Sequence, residues 1–324
     1  MAHVLKLQGV EKSFGEQRAV TQLDLAVPKG ETCGLIGPSG AGKTTSIRLI
    51  MSILFPDSGS VEVLGRASAL DAKDRIGYLP EERGVYRKMR VEAFIKYLAC
   101  LKGMPEAQAV TRGRELLARL GLEGVDKKKC EDLSKGMLQR VQFVAAIVHQ
   151  PELLILDEPF SGLDPVSVRL LKGVISDERR RGTTILFSTH VMAQAEELCD
   201  RIVMIHKGRK VLDEPISSLR RRFDPTRVLF EPLDPKADLQ SLRTVAGVLS
   251  TQGKDGVVEL RLAPGTDPSA VIREVAARVV PARIEIARIG LEDVFVGIVG
   301  GAANSGESEQ ALRQHLQGLG GETA

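Results

Sequence analysis

Gly37-Pro38-Ser39-Gly40-Ala41-Gly42-Lys43-Thr44-Thr45 constrains this chain more than any other stretch. It fits G-x-x-x-x-G-K-[ST], a loop that holds nucleotide phosphates. The apolar run Thr32 to Ile36 leads into it, and a helix-like run from Thr45 to Leu54 leads out. That strand–loop–helix context separates a working loop from a chance match. Glycines let backbone N–H groups curl into an anion nest, and the helix N-terminus adds its positive dipole end. Lys43 should reach the β- and γ-phosphates, and the Thr44 hydroxyl should ligate Mg²⁺.

Leu153-Leu154-Ile155-Leu156-Asp157-Glu158 is a short apolar run ending in two carboxylates. So short and so apolar a run suits a central parallel strand covered on both faces. Its carboxyl end is where an open α/β sheet places its ligand. Asp157 would hold Mg²⁺ there, and Glu158 would polarise the attacking water. A plain strand followed by a polar turn at Pro159 is the bland reading, and the phosphate loop upstream weighs against it.

Further motifs make residues 1–220 resemble the ATP-binding subunit of an ABC transporter, and residues 221–300 more loosely. Leu133-Ser134-Lys135-Gly136-Met137-Leu138-Gln139 is similar to the family's Leu-Ser-Gly-Gly-Gln loop, with Lys135 third and Met137 fifth. Ser134 also reads as the N-cap of a helix running to about His149. Ser161-Gly162-Leu163-Asp164 matches a loop that crosses the family's dimer interface. His190, in Ser188-Thr189-His190, matches its switch histidine, and Phe14 takes the place of the ring that stacks on adenine. Taken alone, Phe14 also fits a core aromatic and His190 an ordinary polar histidine.

The resemblance implies an α/β fold: a P-loop nucleotide-binding domain with a helical subdomain. It implies ATP contacts by Phe14, by Gly37 through Thr45, and, from a second copy, by Ser134, Lys135, Gly136, Met137 and Asp164. It implies Glu158 and His190 as the catalytic pair, with Mg²⁺ held by Thr44 and Asp157. One departure concerns Glu81, where the family has Gln. A carboxylate is a harder Mg²⁺ ligand than an amide. Glu81 thus reads either as a metal contact or as a link from nucleotide to helical subdomain. Glu81-Glu82-Arg83-Gly84 and Lys135 resemble one branch, which includes bacterial exporters of the sodium-extrusion type.

The 324 residues suggest about two domains, and a net charge of +3 gives no strong case for nucleic acid. No apolar run approaches the ~18–20 residues of a membrane span. Met1-Ala2-His3-Val4 lacks the pattern of a signal peptide. The expectation is a cytoplasmic protein held on the inner face of the membrane by a separate multi-span permease. Cys33, Cys100, Cys130 and Cys199 form no C-x-x-C pair and read as reduced, mostly buried thiols.

Residues about 85–150 read as the helical subdomain, with a stripe at positions 91, 94, 95, 98 and 101 and a second helix from Glu106 to Leu120. Arg220-Arg221-Arg222 reads as a solvated linker, with a membrane-surface role as the alternative. Beyond it come strand 227–231, a weak helix 236–244, strands 245–251 and 257–262, helix 268–278 and strand 283–289. That is a small α+β domain, 221–300, in ferredoxin-like order. Apolar positions 291, 294, 295 and 298 suggest a last docking helix, and residues 301–324 read as a disordered tail.

Three functions compete: the ATPase of an exporter, a P-loop GTPase or kinase, and an ABC-type ATPase acting on DNA or ribosomes. The single asparagine, Asn304, leaves no Asn-Lys-x-Asp guanine motif. The third class, as the resemblance has it, carries insertions or paired modules that this chain lacks. The expected mechanism is a site divided between two copies, or between this chain and a paralogue.

Overall fold

A computed structural model describes residues 3–82, 84–222, 227–254, 256–263, 265–287 and 290–298. The expected tail, 301–324, lies outside them. The chain divides into two compact units, one ending at Ile216 and the other beginning at Ser217.

The first unit opens with β1 (His3–Phe14), β2 (Gln17–Pro28), β3 (Thr32–Ile36), α1 (Lys43–Ile50) and β4 (Ser58–Val63). β2, β1 and β4 form an antiparallel sheet in that order. One of its faces is lined by Leu5, Leu7, Leu23 and Leu25, all buried. α1 stops at Ile50, short of the expected Leu54. Ser52 takes a left-handed φ of +55°, which a helix cannot continue through.

After β5 (Ile76–Leu79) the chain makes α2 (Val91–Leu101), α3 (Glu106–Arg119) and α4 (Lys135–Ile147). α2 buries Val91, Phe94, Ile95 and Ala99, whereas Leu101 is 57% exposed, so the expected stripe leaves the core at its last position. Then follow β6 (Leu153–Asp157), α5 (Pro165–Arg180), β7 (Thr184–Thr189), α6 (Met192–Leu198), β8 (Arg201–His206) and β9 (Arg209–Pro215).

The second sheet has the order β5-β6-β7-β3-β8-β9, parallel except for the β8–β9 hairpin. Every residue of β3, β6 and β7 is buried, as suits strands covered on both faces. Because β5, β6, β7 and β3 run parallel side by side, their carboxyl ends converge on one edge. Glu81, Asp157–Glu158, His190 and Gly37 follow those four ends, and this edge carries the site.

α7 (Ile216–Arg222) spans the boundary at Ser217, so the backbone of the basic run expected as a linker is helical. The second unit holds β10 (Arg227–Pro232), β11 (Val248–Lys254), β12 (Val257–Leu262), α8 (Pro268–Arg278), β13 (Pro281–Ala287) and α9 (Leu291–Gly297). Its antiparallel sheet runs β11-β12-β10-β13 over a core that includes Phe230, Leu260 and Val275. The expected helix 236–244 is only a 3₁₀ turn, Gln240–Thr244. Asp234 and Asp238 accept hydrogen bonds from the backbone N–H groups of Lys236 and Gln240, turns that compete with a helix. Leu291, Val294 and Ile298 are buried, as their spacing suggested.

The cysteines are unpaired, with Cys33, Cys130 and Cys199 buried and Cys100 exposed. Burial pushes the Cys199 thiol up to about 12, which keeps it an inert thiol. No helix among the described residues is long and apolar enough to cross a membrane.

Candidate active site

The phosphate loop is built by close backbone approach. A Cβ on Gly37, whose φ is +154°, would lie 2.2 Å from the Ile205 carbonyl oxygen. One on Gly42, at φ +108°, would lie 2.4 Å from the Ala19 carbonyl oxygen. Lys43 opens α1, with Gly42 as its cap and no side-chain cap bond. The first-turn N–H groups are thus left to a ligand at this helix end. The Lys43 ammonium donates to the carbonyls of Gly37 (2.8 Å) and Pro38 (3.1 Å). Burial lowers the Lys43 pKa, while Glu158, Asp157 and Glu81 act to raise it.

A cleft of about 260 Å³ beside this loop is lined by Phe14, Gln17, Ala19, Gly42, Lys43 and Thr45. Phe14 is 49% exposed, so it is no core aromatic, and Lys12 lies 5.8 Å from the ring centroid. An exposed ring in a phosphate-loop cleft is suited to stacking on a flat base.

Asp157 is 1% exposed. Its Oδ1 accepts from the Ser188 hydroxyl at 2.8 Å, and its Oδ2 is buried with no hydrogen-bond partner. Burial pushes its carboxyl above the usual range, against the hydroxyls of Ser188 and Thr44. A buried, half-satisfied carboxylate next to Thr44 is what a hard cation would complete. The Thr44 hydroxyl donates to Glu81 at 3.4 Å, so the three candidate metal ligands are neighbours. They fit Mg²⁺, which takes one or two carboxylates and completes its shell with nucleotide phosphates. No self-sufficient cluster of three acidic, histidine or cysteine groups occurs among the described residues.

Glu158 is 9% exposed, and its Oε1 lies 2.8 Å from His190 Nδ1. The Thr189 hydroxyl reaches Glu158 Oε2 at 3.4 Å. An ionised carboxylate only accepts, so in that state His190 Nδ1 carries the proton. The His190 side chain is 52% exposed, leaving the rest of its ring accessible.

The other sequence candidates make contacts within their own helices and loops. Ser134 caps α4, accepting from Met137 N at 3.3 Å, and Lys135 is exposed. A Cβ on Gly136 would touch Leu163 at 3.4 Å, so the Ser134 loop adjoins the 161–164 loop. Asp164 serves its own helix, capping α5 by accepting from Val166 N, Ser167 N and the Ser167 hydroxyl. The Ser167 hydrogen bonds hold its carboxyl below the usual range.

Sequence reasoning did not single out Ser188, Thr189, Gln139 or Gln142 as site residues. Ser188 and Thr189 adjoin His190 in the chain, and their hydroxyls reach Asp157 and Glu158. The Gln139 amide donates to the Pro159 carbonyl at 2.7 Å, and Gln142 to the Gly84 carbonyl at 3.4 Å.

These elements are those of a P-loop ATPase, and comparison with known proteins gives its family. Residues 20–161 match the ABC transporter family model. The chain is 39% identical to the ABC transporter ATP-binding protein YhaQ of Bacillus subtilis, over 92% of this chain and 99% of that one. It is 32% identical to the bacitracin transport ATP-binding protein BcrA of Enterococcus faecalis, over 93% of this chain and 98% of that one. A solved ATP-binding subunit of an ABC transporter superposes with a TM-score of 0.63 at 32% identity, covering 68% of this chain and 93% of that one. The chain belongs to the ABC transporter ATP-binding proteins. Its ATP-binding domain hydrolyses ATP to power transport.

Proposed function

We propose that this chain drives an exporter as one of two ATP-binding subunits that close on ATP. The observation that carries the reading is the Glu158–His190 contact at 2.8 Å beside the phosphate loop. One subunit supplies Lys43, Glu158 and His190, and the second supplies the Ser134 loop and the 161–164 loop. Phe14 stacks on adenine. Glu158 takes a proton from the attacking water, and His190 holds that carboxylate in place and faces the γ-phosphate. Thr44, Asp157 and Glu81 hold Mg²⁺, which when bound neutralises charge on the β- and γ-phosphates. ATP joins the two halves by contacts made from both sides, so its hydrolysis shifts the pair toward the open state.

A separate multi-span permease holds the pair on the inner membrane face and converts opening and closing into alternating access. Outward direction is supported by the resemblance of Glu81 to Gly84 and Lys135 to the exporter branch, and by a relative named for bacitracin transport. Inside-out vesicles bearing this chain and its permease should concentrate labelled bacitracin on addition of ATP and Mg²⁺. Release from preloaded vesicles would mean import, and no ATP-dependent movement would remove this cargo.

Glu81→Gln restores the usual family residue while keeping the shape. The variant should retain ATP binding and some hydrolysis but need a higher Mg²⁺ concentration for half-maximal rate. An unchanged Mg²⁺ titration with reduced stimulation by the permease would instead make Glu81 a transmission residue.

A further inference from the structure

Glu158 has a φ of +49°, a left-handed conformation that residues with a Cβ rarely adopt. Such strain persists only where the surroundings over-determine it, and it clusters at functional sites. Part of the restraint is local: Glu158 N donates to the Ser188 carbonyl at 3.1 Å, and Ser161 N donates to the Glu158 carbonyl at 3.1 Å. The rest comes from α4. The Gln139 amide nitrogen lies 2.7 Å from the Pro159 carbonyl oxygen and 3.5 Å from that of Glu158.

Gln139 is 7% exposed, and its own carbonyl oxygen is buried without a hydrogen-bond partner. Flipping the amide would set that oxygen against two backbone carbonyl oxygens, so the two carbonyls dictate its orientation. An apolar side chain of the same length would remove the orphaned amide oxygen but leave the Pro159 carbonyl without this donor. What the glutamine contributes is the hold of its N–H₂ group on these two carbonyls.

Taking Glu158 as the catalytic carboxylate proposed above, we infer that Gln139 is a positioning residue: its amide clamps the strained 158–159 turn that aims Glu158 at the attacking water. The clamp has a second consequence. Gln139 lies on the helix capped by Ser134, and Gln142, three residues on, holds the Gly84 carbonyl at 3.4 Å. The helix that meets the partner's nucleotide thus also ties down the carboxylate of its own site and the loop after Glu81.

The test is Gln139→Met, which keeps length and removes the donor, and Gln139→Glu, which sets an acceptor against the two carbonyls. In the full-length protein with saturating Mg-ATP, kcat should fall by about 10- to 100-fold, the scale of a small misplacement of a catalytic group. KM and ATP affinity should stay within about 2-fold, because no nucleotide contact is removed. The sharper measurement is a double-mutant cycle. In a Glu158→Gln background, Gln139→Met should cause no further loss of single-turnover rate, since both changes act through one group. Should Gln139→Met fail to fold, Gln139→Asn keeps the amide but shortens its reach, and carries the same expectations. Unchanged kcat, losses that multiply in the double variant, or parallel losses of affinity and melting temperature would overturn the clamp. Retained hydrolysis in Glu158→Gln alone would instead overturn the role of Glu158.

Discussion

Glu158→Gln should bind ATP with the parent's affinity and hydrolyse it about 10²–10⁴ times more slowly, the usual effect of removing one oriented acid/base group. The position of Glu158 sets this effect. Glu158 directly follows β6, next to the buried Asp157, and its carboxylate is gripped by His190 at 2.8 Å and by Thr189 at 3.4 Å. The amide keeps the size of the side chain and can still hold a water, but cannot take its proton. Single-turnover hydrolysis measured beside equilibrium nucleotide binding separates the two effects. A variant that turns over within a few-fold of the parent would remove Glu158 from the chemistry.

Lys43→Ala should lose ATP binding, with affinity falling by about 100-fold or more, as expected for charge-assisted hydrogen bonds of about 1.5–3 kcal/mol each. Lys43 is 7% exposed, and its ammonium lies within the phosphate loop, bonded to Gly37 and Pro38. It is also the cation that offsets Glu158, Asp157 and Glu81, each of which acts to raise its pKa. Without it, phosphates would meet three acidic groups with no opposing side-chain charge from this residue. ATP should raise the melting temperature of the parent and leave that of the variant unmoved, because a ligand stabilises only the fold that binds it. A similar thermal shift in both would contradict the role of Lys43.

The parts of this fold that could be read in the sequence are those whose signal is local. β3 and β6 are short apolar runs, and α2, α8 and β12 begin and end where their periodicity does. The phosphate loop declared itself through its glycines, and Gly37 and Gly42 leave no room for a Cβ. What escaped reading depended on local competition or on distant partners. Ser52 ends α1 by backbone conformation, and Asp234 and Asp238 divert a weak helical pattern into turns. The site itself depends on the pairing of β5, β6, β7 and β3, which are far apart in the chain. The apolar run before them marked Asp157 and Glu158, and motif resemblance added Glu81 and His190. Gln139 closes the Leu133–Gln139 motif, yet its hydrogen bonds to the turn after β6 become visible only once α4 is packed against it.

The central claim is a nucleotide site completed by a second subunit, and the mass of the hydrolysis-slow protein tests it most directly. Glu158→Gln at saturating Mg-ATP should run as a dimer in size exclusion with light scattering, and as a monomer without nucleotide. A strictly monomeric protein with ATP bound would contradict the account.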